Sequence, residues 1–235
     1  IYNKDDEQVQ LVAVPRNPAD IAYIGYGVHD YSIRNGKTIL HTKKEGDVEI
    51  QLFGEHNLRN INAAREVCKK IGVKAHDFYE ALKTFKGAAK RLEKLGENSH
   101  TVIYRDFAHA PSKVKATTEA VKGQFPQRQL VAAVELHTFS SLNKNFLPQY
   151  AGALDKADEA IVFFSPKTLE HKRMEMISEE ELKAAFRNQS IKVFTDSAAL
   201  QKHLTSRNWQ NANLLLMSSG TYNNLDLGAL KQAIL

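Results

Sequence analysis

Five short apolar runs, each followed by an amphipathic or polar segment, fill the second half of the chain and restrict its fold more than any other feature. They are HTVIYRDF (100–107), RQLVAAVEL (128–136), EAIVFFSP (159–166), IKVFTD (191–196) and NLLLMSSG (213–220). Helical segments are expected between them over 112–125, 142–157, 178–186 and 197–206, with a last helix from about 225. Strands that are apolar without alternation are buried on both faces, and helical connections between them permit parallel neighbours. The pattern therefore predicts an α/β domain, Rossmann-like, with a doubly wound, mainly parallel sheet. In such sheets ligands collect at the carboxyl ends of the strands, where Asp106, His137, Pro166 and residues 218–224 fall.

The first part reads differently. Residues 21–53 form β-like runs (IAYIGYG, DYSI, KTILHT, VEIQLF), and Asn35-Gly36 between two of them predicts a type I′ hairpin, whose central positions both need positive φ. From Leu58 the period becomes helical, with Ile61, Ala64, Val67, Cys68 and Ile71 on one expected inner face and a stop at Gly72; a second helix is expected over 77–85. The polar stretch FKGAAKRLEKLGENS (85–99) reads as a domain boundary, dividing 1–94 from 95–235.

Composition narrows the function classes. The 235 residues are 43% hydrophobic and 25% charged, ordinary for a globular protein able to bury a core. The net charge of +5 comes from cations spread along helices without a basic run, which argues against nucleic acid as partner. No apolar run approaches the roughly 20 residues of a membrane helix, and no signal segment is present, so the expected setting is cytoplasmic with no membrane partner. A single cysteine, Cys68, excludes an internal disulfide framework and a multi-cysteine zinc site. The chain starts at Ile1 without methionine, and is expected to be part of a larger protein.

Five constellations bear on chemistry, and each has two readings. His56, Asn57 and Asn60 in GEHNLRN offer paired amide donors and acceptors of the kind that match a purine edge; equally, Asn57 can cap the helix and His56 be a loop residue. Lys90 and Arg91 in FKGAAKR can meet a phosphate, the guanidinium through two parallel bonds, or belong to a solvated linker. In RDFAHAP, Asp106 and His109 lie between a strand end and a proline that opens a helix, suited to ribose and phosphate contacts or to a local ion pair. ELHTFSSLNKN, with His137, and SSGTYNN, with Ser219, Gly220 and Thr221, can line an acceptor pocket or simply be turns. Neither usual phosphate-cradling glycine loop occurs, and no metal-ligand spacing or Ser/His/Asp signature is present, so no metal ligand and no catalytic group is assigned.

Taken in order and spacing, GEHNLRNINAA, FKGAAKR and RDFAHAP resemble the Mur ligases, ATP-dependent amide ligases of peptidoglycan synthesis. The likeness extends over essentially the whole chain, as the hairpin and helical end of the central ATP-binding domain followed by the C-terminal domain. The family pattern G-x-H-N-x-x-N-x-x-A-A is matched by Gly54, His56, Asn57, Asn60, Ala63 and Ala64, and F-x-G-x-x-R-R by Phe85, Gly87 and Arg91, with Lys90 in place of the first arginine. The third pattern, D-[YF]-[AG]-H-[HT]-P, is matched except at Ala110. The resemblance implies ATP as cosubstrate, with Asn57 and Asn60 at adenine, Lys90 and Arg91 at the phosphates, Asp106 at ribose and His109 near the nucleotide. It also implies Mg²⁺, held mainly by residues before Ile1 together with the phosphate loop, so that the chain alone would be inactive. The implied partners are UDP-N-acetylmuramate and a peptide or amino-acid acceptor. DFAHAP and LLLMSSGTYNNL lie nearer the recycling branch, which attaches the tripeptide L-Ala-γ-D-Glu-meso-diaminopimelate, than the branch that adds L-alanine. ELHTFSS departs from the E-P-R-S-N-T of the recycling branch, and L-alanine ligation is the alternative. A non-catalytic nucleotide-binding module is the second alternative.

Overall fold

The computed structural model describes residues 1–13 and 21–235. They form two compact units, Ile1–Gly87 and Ala88–Leu235.

In the first unit, β1 (Tyr2–Asn3) is followed by α1 (Glu7–Ala13) and pairs in parallel with β2 (Gly25–Tyr26). The strands β3 (Tyr31–Arg34), β4 (Lys37–His41) and β5 (Asp47–Ile50) form an antiparallel sheet. The β3–β4 turn is the expected Asn35-Gly36 pair, with φ of 52° and 74°, values that suit an asparagine followed by a glycine. Alternation along β4 and β5 turns Leu40, Val48 and Ile50 inward against Leu58 and Ile61 of α2 (Glu55–Lys70) and Tyr79 and Leu82 of α3 (Ala75–Thr84). Each fully buried aliphatic side chain there is worth roughly 1.5–3 kcal/mol. The inner face expected for α2 is only half realised: Val67 and Ile71 are 48% and 74% exposed, because the small sheet reaches no further than the first turns.

In the second unit, β6 (Glu93–Glu97) and β7 (Val102–Asp106) are followed by α4 (Pro111–Gln124), β8 (Gln129–Glu135), a 3₁₀ turn at Leu147–Tyr150, β9 (Glu159–Phe163), α5 (Pro166–His171) and α6 (Glu179–Phe186). Then come β10 (Lys192–Phe194), α7 (Ser197–Thr205), β11 (Ala212–Met217) and α8 (Leu227–Ile234). The sheet order is β10-β9-β8-β11-β7-β6, parallel throughout except for β6. One face packs Ile103, Val131, Ala133, Ile161, Phe163, Leu214 and Leu216 against Leu200 and Leu204 of α7 and Leu230 and Ile234 of α8. The 3₁₀ turn packs with both α4 and α6, and α4 touches β8 and β11. The doubly wound expectation is met.

Two expectations are corrected here. The helix expected over 142–157 is a series of turns with one 3₁₀ turn, because Pro148 removes an amide and clashes with the preceding turn. The stretch read as linker contains the antiparallel edge strand β6, attached to β7. No helix among the described residues is long and apolar enough to cross a membrane.

Candidate functional site

In the first unit, α2 begins at Gly54, whose φ of 84° and ψ of 135° suit glycine and let the strand turn sharply into the helix. Asn57 therefore does not cap the helix: it lies in the first turn and its Nδ2 donates to the Phe53 carbonyl at 2.9 Å, closing the turn onto the preceding strand end. This corrects the capping reading and leaves the side-chain Oδ1 of Asn57 with no hydrogen bond among the described residues. His56 and Asn60, one turn apart, share the helix face turned away from Leu58 and Ile61, whereas Asn57, one turn before Ile61, lies at the flank of the buried face. The Asn60 amide is exposed, with no side-chain hydrogen bond among the described residues. Asn62 points elsewhere, donating to the Gly27 carbonyl at 3.1 Å.

In the second unit, Asp106 ends β7 and is 5% exposed. Its Oδ2 accepts from the Leu92 amide and its Oδ1 from the Ala108 amide, both at 2.6 Å. The carboxylate thus fastens the 90–92 loop to the strand end, a connection reinforced by the Phe107 amide donating to the Lys90 carbonyl at 2.8 Å. Lys90 and Leu92 hold φ of 55° and 45°, so the loop is a conformation its residues do not choose by themselves. Glu93 adds a further tie: the Lys90 amide and then the Arg105 guanidinium hold its carboxyl below the usual range. The outcome is that the Arg91 guanidinium lies 5.2 Å over the Phe107 ring, which meets the His109 ring edge-on at 5.2 Å. Arg91 has no carboxylate partner among the described residues. His109 places Nδ1 2.9 Å from the Phe107 carbonyl, which assigns that nitrogen the proton in the neutral ring, and its own carbonyl accepts from the Tyr150 hydroxyl. Ala110 precedes α4, which opens on Pro111 as expected.

The third group lies at the ends of β8 and β11. The Ser218 amide donates to the Asp106 carbonyl at 2.9 Å, so the β7 and β11 ends are continuous. Glu135, the last residue of β8 and 3% exposed, accepts from the Ser218 hydroxyl and, at 2.8 Å, from the Tyr222 amide. His137, half-exposed, has Nδ1 3.7 Å from Glu135 Oε1. The Tyr222 hydroxyl donates to the carbonyls of Ala133 and Met217 at 2.7 and 2.8 Å, and its burial, followed by the Glu135 charge, raises its pKa well above the usual tyrosine value. Gly220 packs against Glu135 and His137. The Ser219 hydroxyl oxygen is buried without a partner among the described residues, and Thr221 Oγ1 accepts from the Asn224 amide at 3.1 Å.

The second unit therefore aligns Arg91, Asp106 and His109, then Ser219 to Thr221, then His137 along three neighbouring strand ends. His56, Asn57 and Asn60 form a separate patch in the first unit. Sequence reasoning gave Glu135 no role and, within 218–224, singled out neither Ser218 nor Tyr222; the signal available was a lone acid closing an otherwise apolar strand. Among the described residues no group of three or more His, Cys, Asp or Glu side chains is arranged to hold a metal ion. The donor set of the β7 end, a guanidinium without a carboxylate partner and a histidine beside it, suits a phosphate-bearing ligand.

A family profile described as "Mur ligase, glutamate ligase domain" matches residues 90–220, more than half of the chain. The UDP-N-acetylmuramate–L-alanine ligase of Caldicellulosiruptor bescii is 36% identical over 138 residues, covering 59% of this chain and 29% of that protein. The curated relatives it matches are covered over only 27% to 37% of their length. The structure of the UDP-N-acetylmuramate–alanine ligase of Thermotoga maritima superposes with a TM-score of 0.65 at 16% identity, covering 89% of this chain and 45% of that one. That of a murein peptide ligase from Psychrobacter arcticus gives 0.55 at 20% identity, covering 86% and 43%. These structures share the fold; the profile match, together with the order of the three motifs, establishes that the chain belongs to the Mur ligase family.

Proposed function

We propose that the gene product containing this chain is an ATP-dependent ligase that joins the lactyl carboxylate of UDP-N-acetylmuramate to the amine of L-Ala-γ-D-Glu-meso-diaminopimelate. The observation that carries the ligase reading is the continuous line of Arg91, Asp106, Ser218 and Glu135 across the carboxyl ends of β7, β11 and β8. A UDP-linked substrate and ATP imply a cytoplasmic reaction.

A free carboxylate is a poor electrophile. Transfer of the terminal phosphoryl group of ATP to a lactyl carboxylate oxygen gives an acyl phosphate and ADP. The acceptor amine, having lost a proton from its ammonium form, then attacks the carbonyl carbon; phosphate leaves with the C–O electron pair, and the nitrogen gives up a second proton, which ends on the departing phosphate. The work of the protein is positioning and charge neutralisation. In this reading Asn57 and Asn60 face adenine with His56 beside them, and Lys90 and Arg91 face the phosphates. Asp106 acts first through the loop it holds, since both its oxygens already serve amides, and offers its remaining lone pairs to ribose. His109 lies beside the nucleotide, while His137, Ser219, Gly220 and Thr221 meet the substrate side. Magnesium would shield the phosphate charge, and no residue of this chain is assigned to it.

The tripeptide reading is supported by the cationic sequence after β9. Lys172 lies 3.9 Å over the Phe139 ring, joining the end of α5 to the loop that follows His137, and exposed His171 and Arg173 flank it. Bracketed by Glu170 and Glu175, these side chains offer cationic donors that an acceptor with several carboxylates could meet. L-alanine as acceptor is the second reading, favoured by the identity to L-alanine ligases.

The test supplies full-length protein with ATP, UDP-N-acetylmuramate and each acceptor in turn, and follows ADP release. Turnover with the tripeptide is expected; turnover with L-alanine alone selects the second reading, and turnover with neither rejects the ligase reading. Arg91→Ala is expected to raise the KM for ATP by about ten- to a hundredfold, the worth of one or two charge-assisted bonds. A change of less than twofold removes Arg91 from the phosphate site.

A further inference from the structure

Glu135 is a buried carboxylate to which the reaction, as described, gives no task. Burying an ionised carboxyl costs several kcal/mol unless it is hydrogen-bonded and paired. Glu135 meets that cost with the Ser218 hydroxyl and the Tyr222 amide on Oε2, and the half-exposed His137 lies on the side of Oε1, its Nδ1 3.7 Å away. The loop it holds is not relaxed: Tyr222, Asn223 and Asn224 have φ of 52°, 54° and 65° in succession. Left-handed backbone costs a non-glycine residue roughly 1–2 kcal/mol and persists where its surroundings over-determine it. The bonds to the Tyr222 amide and hydroxyl are such surroundings. At Gly220 a Cβ would stand 2.8 Å from Glu135 Oε2 and 3.1 Å from the His137 ring, so loop, carboxylate and imidazole are in mutual contact.

We propose that Glu135 is a positioning residue for the acceptor side of the site: it locks the 218–222 loop and holds the His137 ring with Nδ1 inward and Nε2 toward the acceptor. The proposal rests on the ligase reading and deepens it. Gly220 belongs to the same device, since any side chain there would push the carboxylate from the imidazole.

Kinetics of the full-length protein read the role. Glu135→Ala is expected to raise the acceptor KM about ten- to a hundredfold while the KM for ATP stays within twofold, because one buried anchor of the loop is lost. Glu135→Gln keeps an oxygen for Ser218 and Tyr222 but turns an N–H₂ toward His137 Nδ1, and is expected to restore the loop while recovering only part of that loss; Gly220→Ala is expected to reproduce the acceptor defect. An acceptor KM within twofold in Glu135→Ala, or a parallel rise in the KM for ATP, overturns the proposal. A second measurement on the present chain does not depend on ligation: in Glu135→Ala the Tyr222 amide is expected to exchange with solvent at least tenfold faster, with the His137 ring resonances displaced. Unchanged exchange and resonances overturn the proposal even where no acceptor is turned over, whereas an inactive wild-type protein with the expected exchange rejects the ligase reading alone.

Discussion

Replacing Asp106 by alanine probes the join between the 90–92 loop and the sheet. The carboxylate accepts two amide bonds at 2.6 Å, from Leu92 and Ala108, both of which are buried. A hydrogen bond to a charged group contributes about 1.5–3 kcal/mol, and a buried amide left without a partner costs a comparable amount. Loss of both therefore costs about 3–6 kcal/mol, a large part of the roughly 5–15 kcal/mol that holds a domain together. At about 2–4 °C per kcal/mol for a domain of this size, the melting temperature should fall by about 6–24 °C. The conservative change Asp106→Asn keeps one acceptor oxygen but turns an N–H₂ toward the second amide, and is expected to lose at least half as much. Urea unfolding of the chain at neutral pH, followed by far-UV circular dichroism, gives the midpoint, and the slope should stay constant if the denatured state is unaltered. An Asp106→Ala variant within about 0.5 kcal/mol of wild type would refute the reasoning, because the surface-like value would mean that water satisfies both amides.

Two further outcomes concern stability. Burial alone would raise the Glu159 pKa, but His203, Lys192 and Arg207, gathered on its two oxygens, outweigh this and hold it below the ordinary value of 4.5. The stabilisation is present above the unfolded value and fades as pH falls through the folded one, so Glu159→Gln should flatten the acid side of the stability profile, measured by thermal melts from about pH 3 to about pH 7. Gly54→Ala should destabilise by roughly 1–2 kcal/mol, since φ of 84° is strained for any residue with a Cβ; an unchanged urea midpoint would show that the α2 start can relax.

The layout of the second unit was legible because both sheet faces are covered: a strand such as Leu130–Val134 has no solvent side to alternate with, and its unbroken apolar run announces this. The Asn35-Gly36 hairpin was legible because its backbone angles are a local demand. The motif residues were legible as a set, since their order along the chain survives without knowledge of their contacts. What was missed depended on neighbours distant in sequence. β6 is a strand only because β7 offers it an edge, and its residues EKLGE show no periodicity of their own.

Local spacing and polarity were enough to set the alternation of strands and helices, the hairpin and the place of Asp106 and His137 at strand ends. Tertiary structure alone decided what those groups touch. It assigned both Asp106 oxygens to amides, turned Asn57 from a cap into a clasp on Phe53, and buried Glu135 under a loop that begins 83 residues later. The physical reason is common to all three: a polar side chain pairs with whichever donor or acceptor the folded backbone brings within about 3 Å, and for Glu135 that donor is chosen by sheet order, which brings β11 between β7 and β8.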